Sequence, residues 1–243
     1  MSLYRDEAIV LRTQKLGEAD RIITLLTREH GRIRGVAKGV RRTKSKFGAR
    51  LEPGSHIDIQ LYTGRTFDTV TQVESIFNYG EALTDDYSRW TIAGAILEAA
   101  ERFTSHEHEP ALQEFKLVTG AMKALAEEKY DPSMILDAYL LRSLAVGGYA
   151  PSLTNCSKCD ASGPHRYFSL VGGGLVCADC RPSASATPAQ ETLKLMSDLI
   201  SGDWESAMAS ELRNRREANG LIAAYLQWHL ERGLRSLQLV ERA

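Results

Sequence analysis

Of all the side chains in this 243-residue sequence, its four cysteines have the clearest chemistry in their spacing: Cys156-x2-Cys159, then 17 residues, then Cys177-x2-Cys180. A C-x2-C turn brings two thiolates to one face of a tetrahedral centre, and two such knuckles close a four-sulfur zinc site. A disulfide or redox pair and an iron-sulfur centre are the competing uses. A redox C-x-x-C opens a helix after a strand, and a second motif this close is explained more simply by ligation. Four thiolates leave no open position for water, so the expected cofactor is a structural zinc and not a catalytic one. His165 would enter only if one cysteine did not ligate; beside Arg166 it reads as a surface side chain. The segment between the two pairs reads as a hairpin. Tyr167, Phe168 and Leu170 form one arm, Gly172-Gly173-Gly174 the turn, and Leu175 and Val176 the return.

A second constellation lies near the amino terminus. No Asp or Glu occurs between Glu29 and Glu52, a span that holds Arg32, Arg34, Lys38, Arg41, Arg42, Lys44, Lys46 and Arg50. Residues 1–50 carry 13 Lys or Arg against 5 Asp or Glu, whereas residues 51–243 carry 17 against 26, a split that the net charge of −1 conceals. Like charge at this density repels itself unless a polyanion lies nearby, so the stretch reads as a polyanion site, with a merely solvated loop as the plain alternative. Tyr4, Phe47, Tyr62 and Phe67 are the aromatics that could stack on bases, and at least two of them are expected in the core instead. If five to eight of the cations meet phosphates, the binding constant should fall with salt at a log-log slope of roughly 4 to 7.

Other patterns carry less. Gly35-Val36-Ala37-Lys38-Gly39 lacks the Gly-Lys-Ser/Thr ending and strand-to-helix setting of a nucleotide-hydrolysing loop, and a dinucleotide fold fails for the same reason. Neighbouring residues in His106-Glu107-His108-Glu109 point in different directions and are not expected to share an ion. Asp85 and Asp86 are explained by helix-start electrostatics rather than by a nuclease site. Arg213, Arg215 and Arg216 form a second basic spot, either a backbone contact or a solvated helix surface. No apolar run approaches the roughly 18 residues of a membrane span, and no signal-peptide stretch follows the start, so a cytoplasmic protein is expected.

The elements that must position these groups follow from periodicity. Ala8 to Thr13, Arg21 to Thr27, Arg32 to Lys38, His56 to Tyr62 and Thr66 to Phe77 read as five short strands, with Gly39 to Gly48 as a loop, which predicts a small antiparallel barrel over 1–80. From Thr84, taken as a cap, an apolar face of Trp90, Ala93, Ile96, Leu97, Ala100 and Phe103 predicts a helix. Leu112, Phe115, Val118, Met122 and Leu125 predict a second, and Asp131-Pro132 starts a third that ends at Gly147-Gly148. The three are expected to form a packed bundle. Thr187 as N-cap with Pro188 and Gln190 starts another helix, and Leu212 to Leu239 supplies one or two more. The expected fold is therefore α+β. A barrel precedes a helical domain over 81–151 and 184–243, which is interrupted by a zinc-binding insert over 152–183.

Taken in order, these parts resemble a bacterial family, the DNA repair and recombination mediator RecO. The resemblance covers the whole chain. It rests on the opening Tyr4 to Arg42, the segment Ala49 to Tyr62, the helical region, and the four-cysteine insert after Leu140-Leu141 and Gly148 to Cys156. It implies an amino-terminal oligonucleotide-binding (OB) fold that holds single- and double-stranded DNA and anneals complementary strands. It also implies work with RecR to replace single-strand-binding protein by RecA, without hydrolytic activity. Carried over by position, the DNA-contacting set is Arg34, Lys38, Arg41, Arg42, Lys44 and Lys46, with Arg12 and Arg21 on nearby strands. The zinc set is Cys156, Cys159, Cys177 and Cys180. The helical domain would receive the acidic, apolar-ended tail of single-strand-binding protein, through Arg213 and Arg216 with Leu226 and Leu230. The resemblance implies a cytoplasmic, nucleoid-associated protein. An RNA-binding accessory protein and a metal-dependent nuclease are the alternatives from other classes. A preference for RNA at matched salt, or cleavage with a divalent metal, would favour one or the other.

Overall fold

A computed structural model describes residues 2–230 and 233–240, which form two compact units divided between Lys129 and Tyr130. In the first unit, β1 (Leu3–Leu16), β2 (Asp20–Thr27), β3 (Gly31–Ala37), β4 (Ser55–Tyr62) and β5 (Asp68–Asn78) close a barrel in the order β1-β2-β3-β5-β4. This is the expected OB-type barrel. β1 is longer than its apolar run because it serves two partners: Leu3 to Ile9 pair with β4, and Ala8 to Leu16 pair with β2 across a register shift between Val10 and Arg12. Its charged start is tolerated because Arg5 and Glu7 lie opposite Gln60 and Asp58 and find partners in Asp58 and His56 on the same strand.

Strand alternation fills the barrel. On β3, Gly31, Ile33, Gly35 and Ala37 point inward while Arg32, Arg34 and Val36 are partly exposed, so a single strand supplies core on one face and cations on the other. Gly35 has to be small, since a Cβ there would sit 3.1 Å from both Leu61 and Val70. Ala8, Ile23, Leu25, Ile57, Ile59 and Leu61 complete the interior, and Val40, Phe47 and Leu51 from the β3–β4 connection are buried with it. That connection ends in a short 3-10 turn, Gly48–Leu51. The basic loop is therefore pinned by apolar residues within it.

A short helix α1 (Tyr79–Ala82) leads to α2 (Tyr87–Phe103) and α3 (Leu112–Ala126), which pack on each other, α2 also on β1 and α3 on β2. The α2 cap is Asp86, whose carboxylate accepts from the Arg89 N–H, and not Thr84. Ala93, Ile96, Leu97 and Ala100 are buried as the periodicity predicts, but Trp90 is 46% exposed. The expected three-helix bundle is divided: α2 and α3 pack with the barrel, while α4 belongs to the second unit.

The second unit is built from α4 (Pro132–Val146), a small hairpin β6 (Tyr167–Ser169) and β7 (Gly174–Val176), and α5 (Gln190–Ser201), α6 (Trp204–Met208) and α7 (Leu212–His229). Asp131 caps α4 through the Ser133 and Met134 amides, with Pro132 at its first turn, and Gly148 in the left-handed region follows its end. α5 starts at Gln190 without a local side-chain cap. Glu217 of α7 supplies it instead, accepting from the Ala189 N–H at 3.0 Å and from the Thr192 hydroxyl. Thr187 therefore does not cap the helix. α7 ends at His229, and residues 231–232 of the expected helical stretch lie outside the described residues. No described helix is long and apolar enough to cross a membrane.

Candidate nucleic-acid interface and metal centre

The barrel has one end where loops and cations gather. Strand register places Lys15 opposite Arg21 and Arg21 opposite Ala37, while Gly35 pairs with Asp68 and Tyr62 with Thr69. The β1–β2 turn and the start of the basic loop therefore leave from one end, whereas the β4–β5 loop, which enters β5 parallel to β3, lies at the other end with the start of β1 and the β2–β3 turn. Main-chain and side-chain hydrogen bonds tie the β1–β2 turn to the basic loop. Arg41 N–H donates to the Ala19 carbonyl at 2.9 Å, Gly39 N–H to Asp20 Oδ1 at 2.7 Å, and the Arg41 guanidinium to the Gly17 and Glu18 carbonyls at 3.3 and 2.8 Å. On the far side of the loop, Lys46 Nζ donates to the Thr71 carbonyl at 2.9 Å.

The expected cations fall into two groups. Lys38, Arg41, Arg42, Lys44 and Lys46 are exposed, and among the described residues no carboxylate lies within ion-pair distance of any of them. Arg12, Arg21 and Arg34 on the strands differ. Arg21 meets Glu52 at 2.6 Å, Arg12 meets Glu101 at 3.5 Å, and Arg34 Nε lies 2.5 Å from Glu107 Oε1. The absence of acidic residues between Glu29 and Glu52 is thus compensated in space on the barrel wall but not at its end. Lys15, exposed at the end of β1 level with the start of the basic loop, also lacks a carboxylate partner among the described residues and extends the unpaired set, while Arg65, likewise without one, stands on the β4–β5 loop at the other end. Neither stands in a charge run, so only the register identifies them.

Of the four aromatics, two are committed to the fold. Phe47 is buried in the barrel interior with Lys46 Nζ 5.0 Å from its ring centroid, and the half-buried Tyr4 donates to Asp68 and leans on the His30 ring at 4.7 Å. Burial first, then the Asp68 carboxylate, pushes the Tyr4 phenol well above its ordinary range. Tyr62 is 45% exposed, and Phe67 lies beneath the Arg34 guanidinium at 4.9 Å. These two keep part of their surface exposed, Phe67 with the Arg34 cation on its face.

The cysteines converge. Their four sulfurs lie within 4.8 Å of one another, and Cys159 Sγ to Cys177 Sγ is 3.8 Å, near the edge of about 3.8 Å that Zn–S bonds of about 2.3 Å give a tetrahedron. None is in a disulfide. Cys156 is buried, and the backbone N–H of Cys177, followed by those of Lys158 and Cys159, draws its thiol down to about 6. The neighbouring sulfurs of Cys177 and then Cys159 push Cys180 up to about 12. Four thiolates this close repel one another, and a divalent cation at their centre removes that repulsion. The hairpin keeps the expected arms: Phe168 and Val176 are buried, and Gly174 allows Ser152 to pass within 2.4 Å of where a Cβ would stand. His165 bonds the Ala161 carbonyl at 2.8 Å, away from a ligand role.

Arg213, Arg216, Leu226 and Leu230 do not form one pocket. All but Leu230 lie on α7, which ends at His229, and Arg213 and Arg216 stand about 20 and 15 Å from Leu226 along the axis. Arg213 pairs with Glu211 at 2.9 Å, and Leu226, only 1% exposed, belongs to the core. Leu226 does reach the floor of a cavity of about 430 Å³ that Leu234, Arg235 and Leu237 also line. Its nearest arginine in that lining is Arg235, which the sequence pattern did not single out.

Comparison with known proteins agrees with this architecture across the chain. Residues 1–79 match the family described as Recombination protein O N terminal, and residues 84–238 match Recombination protein O C terminal. The chain is 58% identical over 248 residues to the DNA repair protein RecO of Streptomyces avermitilis and 59% identical over 243 residues to that of Thermobifida fusca, each alignment covering 100% of both chains.

Proposed function

This chain belongs to the RecO family of recombination and DNA repair proteins, and from that membership we propose that it is a DNA-binding recombination mediator. In this reading it anneals complementary strands and, with RecR, helps load RecA onto DNA coated by single-strand-binding protein. The observation that carries the reading is the set Lys38, Arg41, Arg42, Lys44 and Lys46, exposed at one barrel end without carboxylate partners among the described residues.

Annealing requires the mutual repulsion of two polyanions to fall while base edges stay free to search. Cations directed at the sugar-phosphate chain accomplish that without reading sequence. Tyr62 and Phe67 offer faces on which a base can rest, a contact every base can make. Phe47 holds the middle of the loop to the barrel, so the cations are presented from a fixed base. No bond is made or broken, and the protein acts by binding rather than as an enzyme. The four cysteines hold a structural zinc that orders the module between α4 and α5, where little apolar mass is available to do so. The tail of single-strand-binding protein, acidic and apolar-ended, suits the cavity at Leu226 and Arg235 better than the upstream arginines. Such a protein works in the cytoplasm, on the nucleoid.

The test is annealing of complementary oligonucleotides coated with the cognate single-strand-binding protein, titrated with salt and without nucleoside triphosphate. Strand pairing that weakens steeply with salt is expected. Absence of annealing, tighter binding to RNA than to single-stranded DNA at matched salt, or cleavage with divalent metal would each overturn the proposal.

A further inference from the structure

The segment joining α2 to α3 lies along β3 as a strap. Arg32 and Glu107 form a parallel bridge, His108 N–H donates to the Arg32 carbonyl at 2.9 Å, and the Arg32 guanidinium donates to the Ser105 carbonyl at 2.6 Å. Gly31 permits this approach, because a Cβ there would fall 1.7 Å from the Glu109 carbonyl oxygen. The strap's backbone is thus firmly seated. Its one carboxylate aimed at the barrel wall is Glu107, set against Arg34 Nε at 2.5 Å and Arg32 at 3.8 Å.

Three features make that carboxylate unlike an ordinary structural ion pair. Arg34 Nε has no directed hydrogen bond despite the short separation, so the attraction is between charges and not a geometrically locked fork. Arg34 stands over the Phe67 ring, so a cation and an aromatic face lie together on the barrel wall. Glu107 retains a quarter of its side-chain exposure, and its removal from Arg34 needs a rotamer change rather than release of the strap.

From this geometry we infer that Glu107 is an internal stand-in for a nucleic-acid phosphate: Arg34 with Phe67 forms a nucleotide subsite that the protein's own carboxylate fills until a phosphodiester takes its place. The inference rests on the DNA-binding reading above and adds to it a competing residue. Its physical consequence is a contact of small net worth. A phosphate gained at Arg34 comes with a carboxylate lost, so the wall of the barrel engages only after the loop has recruited a strand. The loop cations bear no such penalty and act first.

The experiment is fluorescence anisotropy of the full chain with a short single-stranded oligonucleotide, over a salt series, for wild type, Glu107→Gln, Arg34→Gln and the double variant. Glu107→Gln is expected to tighten binding about fivefold at low salt, the scale of one partly exposed ion pair. Arg34→Gln alone should change affinity less than about twofold, yet in the Glu107→Gln background it should remove the gain. Unchanged or weaker binding by folded Glu107→Gln overturns the inference, as does a gain that survives loss of Arg34, which would mark a general field effect. Should Glu107→Gln lose its fold, Glu107→Asp, whose carboxylate falls one methylene short, carries the same comparison. Failure of the underlying reading looks different. In that case Arg41→Glu, Arg42→Glu and Lys44→Glu together leave retention unchanged as well, whereas failure of the inference alone leaves that triple variant defective.

Discussion

The cysteine module and the basic barrel end are built by opposite means. Four thiols within 4.8 Å are brought together and need a central charge to be stable at that spacing. The loop cations are spread over an exposed connection without carboxylate partners among the described residues, with Val40, Phe47, Leu51 and a few hydrogen bonds holding their base. The first set could be neutralised from within by one ion; the second carries charge that no carboxylate among the described residues neutralises. The lesson is that like groups that converge can be neutralised by one central charge, whereas like groups that diverge leave their charge to the solvent.

The largest effect that can test this contrast is loss of the metal. Cys156→Ala is expected to release stoichiometric zinc and to disorder the hairpin, since structural zinc contributes on the order of 10–16 kcal/mol to zinc-finger peptides. Metal analysis and thermal unfolding read it. Oligonucleotide affinity at the barrel should change little, and a parallel loss there would break the separation. Acidification should release the metal too, because protons compete for the thiolates.

Next in size is the triple reversal Arg41→Glu, Arg42→Glu and Lys44→Glu. It should abolish annealing with the fold retained by circular dichroism, and reduce the salt slope by about 3. Glu217→Ala, which removes the α7 carboxylate from the start of α5, should cost roughly 1–2 kcal/mol in thermal unfolding and leave DNA binding unchanged. The smallest effects separate paired from unpaired cations. Lys15→Gln or Lys38→Gln should each lower the salt slope by about 1, while Arg12→Gln and Arg21→Gln should stay within about twofold of wild type. Equal effects in both pairs would erase the distinction between wall and end.

Much of this was legible in the residues. Each C-x2-C turn is a local object whose spacing brings its own two sulfurs to one side, and alternation on β3 assigns Ile33 inward and Arg34 outward without further information. The Asp131-Pro132 start of α4 is local as well. The missed features all depend on partners far along the chain. Glu101 and Glu107 reach Arg12 and Arg34 from a helix and strap some seventy to ninety residues later, and Glu217 caps a helix that starts at Gln190. Trp90 followed the apolar period yet stands exposed, because periodicity marks a face but not whether a neighbour covers it.

Charge density, cysteine spacing and strand alternation were thus determined by the sequence alone, because each is a property of neighbours along the backbone. Which cations remain unpaired was decided only by tertiary structure. Coulomb attraction depends on distance in space, and folding brought carboxylates to the barrel wall while leaving the loop at its end without them.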